Sequence, residues 1–196
     1  MILWREATVE RVRARWPGAV ECDVVVRGPD GETLVGETLV GEPLVGEPLV
    51  GEPLRALAYT DLVGEPLPGD RVLLNVGALE LGLGTGGLAL IVAIPDRLPA
   101  DPEPGPGHIV KARYTPLQTV VLGVDEQESP HHDILSGATG IGGLPVIMAD
   151  LHSAVPAILA GLRDAHPEVR VAYVMTDGGA LPAWFSRSLA GLREAG

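Results

Sequence analysis

Two polar clusters in the second half of the chain contain residue types that bind ligands or transfer protons. The clusters are Asp150, His152 and Ser153, and Thr176, Asp177, Gly178 and Gly179. Each follows an apolar run of five to seven residues (PVIMA, VRVAYVM) and precedes a helix-type pattern. Parallel strands would place both clusters at one sheet edge, beside helix N-termini that favour anions. The aspartates there could hold a metal ion or a ribose hydroxyl, and the histidine could act as an acid, a base or a ligand. The same residue types also serve as ordinary helix caps and tight turns, so both interpretations stay open.

Two further groups are weaker candidates. His131, His132 and Asp133 form a polar turn that could bind a divalent metal, but adjacent residues seldom point the same way, and a solvated loop fits equally. Lys111 is the only lysine, and in a strand it would share a face with Arg113. That pair predicts either an anion-binding site or a solvent-facing strand edge.

Hydrophobic spacing predicts the elements that would position these residues. Strand-type runs lie at 108–113, 119–124, 145–149 and 169–175, with helices at about 153–166 and 182–193. A β-α-β-α order implies parallel strands joined by right-handed crossovers. Residues 108–196 are therefore predicted to form a partial Rossmann-like α/β unit.

The first half has a different pattern, with short strands separated by Gly, Pro and Asp. The strand-type runs are 7–14, 19–26, 54–59, 70–75 and 88–94. Such spacing predicts a small barrel or a sandwich over residues 1–98. The Pro- and Gly-rich residues 99–107 are predicted to be a linker. The fold class is thus α+β or α/β, with an N-terminal β-barrel-like unit followed by the Rossmann-like unit.

Three segments require separate interpretation. Residues 31–54 repeat GETLV or GEPLV with a period of five, which fits neither helix nor strand and predicts a flexible, tolerated insertion. The string GLGTGG at 82–87 precedes a β-type run, so it favours a strand connection over a dinucleotide fingerprint. Residues 72–94 are long enough to cross a bilayer, but glycines and Glu80 interrupt them and favour two buried strands.

Composition narrows the classes of function. The 196 residues carry a net charge of −12, which disfavours nucleic-acid binding. The single cysteine, Cys22, excludes an internal disulfide. No signal-peptide pattern is present, and a cytoplasmic location without membrane attachment is predicted. The sequence identifies no cofactor.

Several strings resemble one bacterial family. They are HIVKARYTPLQTVVLGVDEQESPHHD, ADLHSA, AYVMTDGGALPAWFS, GDRVLLN and LGLGTGG. They look like the family catalogued as domain of unknown function 3866, common in high-GC Gram-positive bacteria, and the likeness covers nearly all of the chain except 31–54. It implies no activity and no catalytic residues. Because family members run further, the resemblance implies a C-terminally truncated member with a pentapeptide-repeat insertion.

Two functions remain open at this point. The first is binding of a small anionic or nucleotide-type ligand, with hydrolysis as one outcome, at the carboxyl ends of the strands. The alternative is a non-catalytic protein-interaction module. The strand-type runs 145–149 and 169–175 need cover on both faces of a parallel sheet, and only two helices are predicted beside them. We therefore also expect the chain to expose apolar surface and to self-associate.

Overall fold

The computed structural model describes residues 2–28, 51, 53–83, 86–176 and 178–195. The chain divides into two compact units, Met1–Asp101 and Pro102–Gly196. The division falls inside the predicted linker at 99–107. Most of the predicted insertion at 31–54 lies outside the described residues.

The first unit is a closed five-stranded barrel, which confirms the predicted barrel-like unit. Its strands are β1 (Trp4–Trp16), β2 (Ala19–Val26), β3 (Pro53–Tyr59), β4 (Arg71–Asn75) and β5 (Ala89–Ala93). Their order around the barrel is β1-β2-β3-β5-β4. All neighbouring pairs are antiparallel except β3 and β5, which run parallel. Short helices α1 (Thr60–Val63) and α2 (Gly77–Glu80) follow β3 and β4.

Small and branched side chains fill the barrel because five strands enclose little space. Strand β4 shows the alternation clearly, with Val72 and Leu74 buried between half-buried neighbours. The other buried side chains of the strands include Ala7, Val9, Val20, Cys22, Val24, Val26, Ala56, Ala58, Ala89 and Ile91. Strand β1 is long enough to pair with β4 through its first half and with β2 through most of its length. Two register irregularities bend it between these partners.

The glycine-rich connection joins two strands. Gly82, Gly86 and Gly87 all have positive φ, and β5 follows them; Gly84 and Thr85 lie outside the described residues. The strand that follows confirms the expectation that this is a strand connection. The apolar run 72–94 contains β4, α2 and β5. None of the helices in the described ranges has the length and apolar composition needed to cross a membrane.

The described part of the second unit has a small hairpin and three α-helices. Strands β6 (Ile109–Lys111) and β7 (Thr119–Val121) pair antiparallel, and helices α3 (His132–Ser136), α4 (Val155–Ala165) and α5 (Arg187–Ala195) follow. Single 3₁₀ turns at His152–Ala154 and Ala183–Phe185 precede the last two helices. The hairpin requires glycine at 107, where φ is +119° and a Cβ atom would lie 2.5 Å from the Val121 carbonyl oxygen.

Two predicted strands of this unit are not strands in the structure. Residues 145–149 and 169–175 belong to no ladder within the described part of the chain. Their composition is strand-like, but a strand exists only when a neighbour accepts and donates its backbone hydrogen bonds. The predicted helix between them is present as α4. The second unit is therefore mixed α and β, and the Rossmann-like arrangement stays a proposal.

Candidate functional site

The side chain of Lys111 joins the end of β6 to the turn that contains Gly178 and Gly179, called the glycine loop below. Lys111 is only 4% exposed, and its Nζ donates a hydrogen bond of 2.9 Å to the Gly179 carbonyl oxygen. One residue later, the Ala112 N–H donates to the Ala180 carbonyl oxygen, also at 2.9 Å. A buried ammonium group needs such polar partners, since its desolvation is costly. The structure thus brings together Lys111 and Gly179, which the sequence named as parts of separate candidates.

The backbone directly after Lys111 is held in an uncommon conformation. Ala112 and Tyr114 have φ values of +48° and +64°, although neither is glycine. The turn is fastened by the Thr115 hydroxyl, which donates to the Ala112 carbonyl oxygen at 2.8 Å. Left-handed φ at non-glycine residues costs energy and concentrates at functional sites.

The expected pairing of Lys111 and Arg113 on one strand face is not found. Strand β6 ends at Lys111, and the left-handed Ala112 changes the direction of the chain before Arg113. Lys111 is consequently buried whereas Arg113 is exposed. The two cations differ in environment, and only the lysine contacts the glycine loop through a described hydrogen bond.

His152 hydrogen-bonds to Tyr173, which lies in the second apolar run. The Tyr173 Oη and His152 Nδ1 atoms are 2.7 Å apart, and the ring centroids are 5.9 Å apart. Partial burial raises the pKa of the Tyr173 hydroxyl further above neutrality. In the tautomer in which the Tyr173 hydroxyl donates this bond and Nδ1 accepts it, the imidazole proton lies on Nε2, from which it can be donated to an anion.

Other members of the two predicted clusters are placed as follows. Asp150 is an exposed residue at a bend, and Ser153 lies inside the 3₁₀ turn. The expected cap by Ser153 is not found, because Ala154 is the N-cap of α4 and no side-chain cap bond forms. Asp177 lies outside the described residues, so its predicted convergence with Asp150 is not described.

The glycine loop itself is a tight turn. The Gly179 N–H donates to the Thr176 carbonyl oxygen at 3.1 Å. A Cβ atom on Gly179 would lie 2.9 Å from the Met175 sulfur, whereas Gly178 faces open space. Gly178 thus leaves room beside the loop for another group to approach the backbone.

The two histidines of the weak metal candidate His131, His132 and Asp133 make hydrogen bonds within their own turn. His132 begins α3, and its Nδ1 lies 2.7 Å from the Asp125 carbonyl oxygen. The His131 N–H donates to the hydroxyl of buried Ser129 at 3.2 Å. Within the described residues no group of three or more His, Cys, Asp or Glu side chains could hold a metal ion.

Comparison with known proteins gives one match. The model of the family described as protein of unknown function (DUF3866) matches residues 55–196. The chain belongs to the DUF3866 family. Neither the search of curated proteins nor the search of solved structures found a match.

The DUF3866 match contains every residue of the candidate site. Lys111, His152, Tyr173 and Gly179 all lie within 55–196, whereas β1 and β2 of the barrel precede it. The family description supplies no reaction, so the chemistry must come from the geometry. Sequence analysis did not single out Tyr173, because it reads as one apolar position of a strand-type run, and only its contact with His152 distinguishes it.

Proposed function

We propose that this DUF3866 protein binds a small anionic ligand, carrying a phosphate or carboxylate group, beside the 173–180 segment. The observation that carries the proposal is the contact between the buried ammonium of Lys111 and the glycine loop. The positive charge of Lys111 attracts an anion to the glycine loop, and Gly178 leaves room for that anion to approach the loop backbone.

The contact between His152 and Tyr173 supports the same location. It joins the 3₁₀ turn before α4 to the residues that lead into the glycine loop. The Nε2 proton of His152 is a further donor for an anion, and the same imidazole could exchange a proton with a bound substrate. Hydrolysis of a phosphate or ester group is the extension of this proposal that the chemistry of the site allows.

We further propose a partial Rossmann-like arrangement, in which residues 145–149 and 169–175 are parallel strands on either side of α4. The support is the order of the segments and the presence of the intervening helix. We also propose a cytoplasmic location, supported by the single cysteine. An origin in high-GC bacteria is proposed from the scarcity of lysine.

The barrel is not the unit that we propose to bind the anion. Closed five-stranded barrels also occur in oligonucleotide-binding domains, but residues 1–101 hold 16 acidic residues and 8 arginines. Most of these arginines are engaged by carboxylates. The ion pairs join Arg5 to Glu80, Arg11 and Arg13 to Asp23, Arg15 to Glu65, Arg55 to Glu21, Arg71 to Asp96, and Arg97 to Asp70. Phosphate binding needs cations in excess, and the barrel surface does not supply that excess.

The experiment is a ligand titration followed by thermal unfolding and by calorimetry, with inorganic phosphate, pyrophosphate and ADP as probes. A ligand that binds only the folded state stabilises it by RT ln(1 + [L]/Kd), about 2.7 kcal/mol at a hundredfold excess over Kd. We expect stabilisation of the wild type and its loss in Lys111→Met. The matched control is Arg193→Gln, which removes an exposed cation from α5 of the same unit.

The ligand-dependent increment separates binding from a general loss of stability. If Lys111→Met is less stable but gains the same increment from phosphate as the wild type, the lysine is structural and the proposed site is wrong. If none of the three probes stabilises the wild type, the proposal fails as a whole. Loss of the increment in Arg193→Gln to the same degree would indicate a nonspecific charge effect and would also refute it.

A further inference from the structure

The side chain of Met175 packs against the glycine loop. A Cβ atom built on Gly179 would lie 2.9 Å from the Met175 sulfur, 3.1 Å from its Cγ and 3.2 Å from its Cε. The φ of Gly179 is not in the left-handed region. The thioether of Met175 therefore fills the space that a side chain at position 179 would take, and three consecutive atoms of the methionine cover this residue.

The residue that Met175 covers is the one that Lys111 contacts. Lys111 Nζ donates to the Gly179 carbonyl oxygen at 2.9 Å. The Gly179 N–H donates to the Thr176 carbonyl oxygen at 3.1 Å, which closes the turn directly after Met175. The thioether and the ammonium group thus hold one residue from two sides, and displacement of Met175 changes the position of the carbonyl group that Lys111 needs.

Met175 is also accessible from the solvent. It is half-buried, so part of its side chain is in contact with water while the rest packs on the loop. Oxidation of methionine to the sulfoxide converts a flexible apolar side chain into a polar one and disrupts the contacts that it makes. Met148, in the same unit, is 92% exposed and provides a reference for a methionine that reacts without restriction.

We propose that Met175 is an oxidation site that controls the glycine loop, with hydrogen peroxide as the oxidant. The sulfur lone pair forms an S–O bond with one oxygen of the peroxide as the O–O bond breaks. The departing hydroxide takes the proton of the new S–OH group and leaves as water. Sulfur is oxidised by two electrons to the sulfoxide, and the peroxide is reduced by the same two electrons.

The sulfoxide does not fit the contact with Gly179. An oxygen on the side of Gly179 has no room, because the sulfur already lies where a Cβ atom would clash. An oxygen on the open side is hydrated and draws the side chain away from its apolar contact. In both cases the loop loses the packing that keeps the Gly179 carbonyl oxygen beside Lys111. Release of the loop is the direct effect, whereas a loss of anion affinity follows from it and rests on the proposed function.

The test treats the full chain with hydrogen peroxide, locates the sulfoxides by peptide mass spectrometry and measures hydrogen exchange at the Ala112 amide, which donates to the Ala180 carbonyl oxygen. We expect protection at Ala112 to fall about fivefold as the Met175 sulfoxide accumulates, and to recover after treatment with methionine sulfoxide reductases for both epimers. Met175→Leu keeps an apolar side chain of similar volume, and its protection should not change on peroxide treatment. Met148→Leu is the matched control and should respond as the wild type does.

Three results would overturn the inference. They are unchanged protection at Ala112 when Met175 is fully oxidised, an equal fall of protection in Met175→Leu, and a Met175 sulfur that does not react while the folded chain is oxidised at Met148. Phosphate-dependent stabilisation, measured on the same samples, separates this inference from the proposed function. Its absence from the untreated protein would refute the anion site alone, whereas its persistence after release of the loop would refute the link between the loop and the ligand.

Discussion

Replacing Lys111 by Met removes a buried cation while nearly preserving the length of the side chain. Among the contacts described for Lys111, the substitution removes the 2.9 Å hydrogen bond from Nζ to the Gly179 carbonyl oxygen. A hydrogen bond to a charged group contributes about 1.5–3 kcal/mol. Two effects reduce this loss of stability. Gly179 is half-exposed, so water can replace the lost donor at its carbonyl oxygen. In addition, burying the apolar methionine side chain carries no desolvation cost of a charged group. We expect a local destabilisation of about 1–2 kcal/mol.

Hydrogen exchange at the Ala112 amide measures this effect locally. That N–H donates to the Ala180 carbonyl oxygen, immediately beyond Gly179, so it exchanges when the loop separates from the end of β6. A loss of 1.4 kcal/mol corresponds to a tenfold lower protection factor. We therefore expect protection of the Ala112 amide to fall about tenfold in Lys111→Met, by exchange measured at residue resolution.

Amides of the barrel are the internal control for this measurement. The Val9 N–H donates to the Asp70 carbonyl oxygen within the first unit, and its protection should not change. If protection at Ala112 stays at the wild-type level, the lysine contact does not hold the loop. If protection falls equally at Val9, the substitution acts on the whole chain, and the local interpretation is refuted.

Three further predictions concern the two units separately. Gly107→Ala should destabilise the hairpin by about 1–3 kcal/mol, because it combines a left-handed φ with a Cβ clash. In Gly161→Ala the new Cβ atom on α4 meets open space, so this variant should raise the free energy of unfolding in urea by up to about 1 kcal/mol. The Cys22 thiol, whose pKa burial raises to about 11, should react with a thiol reagent only as fast as the barrel unfolds; rapid reaction in the native state would contradict its burial. Burial opposes ionisation of Asp70, but hydrogen bonds from Arg97 and the Leu67 N–H outweigh it and lower the carboxyl pKa. The stabilisation is therefore present above the unfolded pKa of about 3.9 and is lost as the pH falls below it, and Asp70→Asn should flatten that acid dependence of the urea midpoint.

The strands of the barrel could be predicted from local sequence patterns. The run 19–26 is β2 without a change of boundary, and the run 54–59 is β3 with one residue added. Turn residues such as Gly18, with a φ of +77°, fix these ends locally. The parallel pairing of β3 with β5 could not be predicted, because it joins Ala56 to Ala89 across more than thirty residues and depends on closure of the whole barrel.

The same local signals gave a different result in the second unit. Residues 169–175 are as apolar as a barrel strand, and yet they lie in no ladder of the described chain. Helix α4 does form as predicted, because its hydrogen bonds lie within the segment itself. A strand depends on a partner that the local pattern does not specify, so α4 and α5 could be predicted from their own segments, whereas the lack of a partner for 145–149 and 169–175 could not. The runs 108–113 and 119–124 do contain β6 and β7, which pair with each other.

Individual residues of the candidate site could be predicted from local sequence, whereas the contact between them could not. Composition alone drew attention to Lys111, and turn chemistry drew attention to Gly178 and Gly179, but 68 residues separate the lysine from its acceptor. The sequence predicted that Lys111 would share a strand face with Arg113, and the left-handed φ of Ala112 breaks that relationship. Arg113 is exposed, and among the described side-chain hydrogen bonds the cation that contacts the glycine loop is Lys111. An anion bound there should therefore respond strongly to Lys111→Met and weakly to Arg113→Gln, whereas a paired site would respond to both.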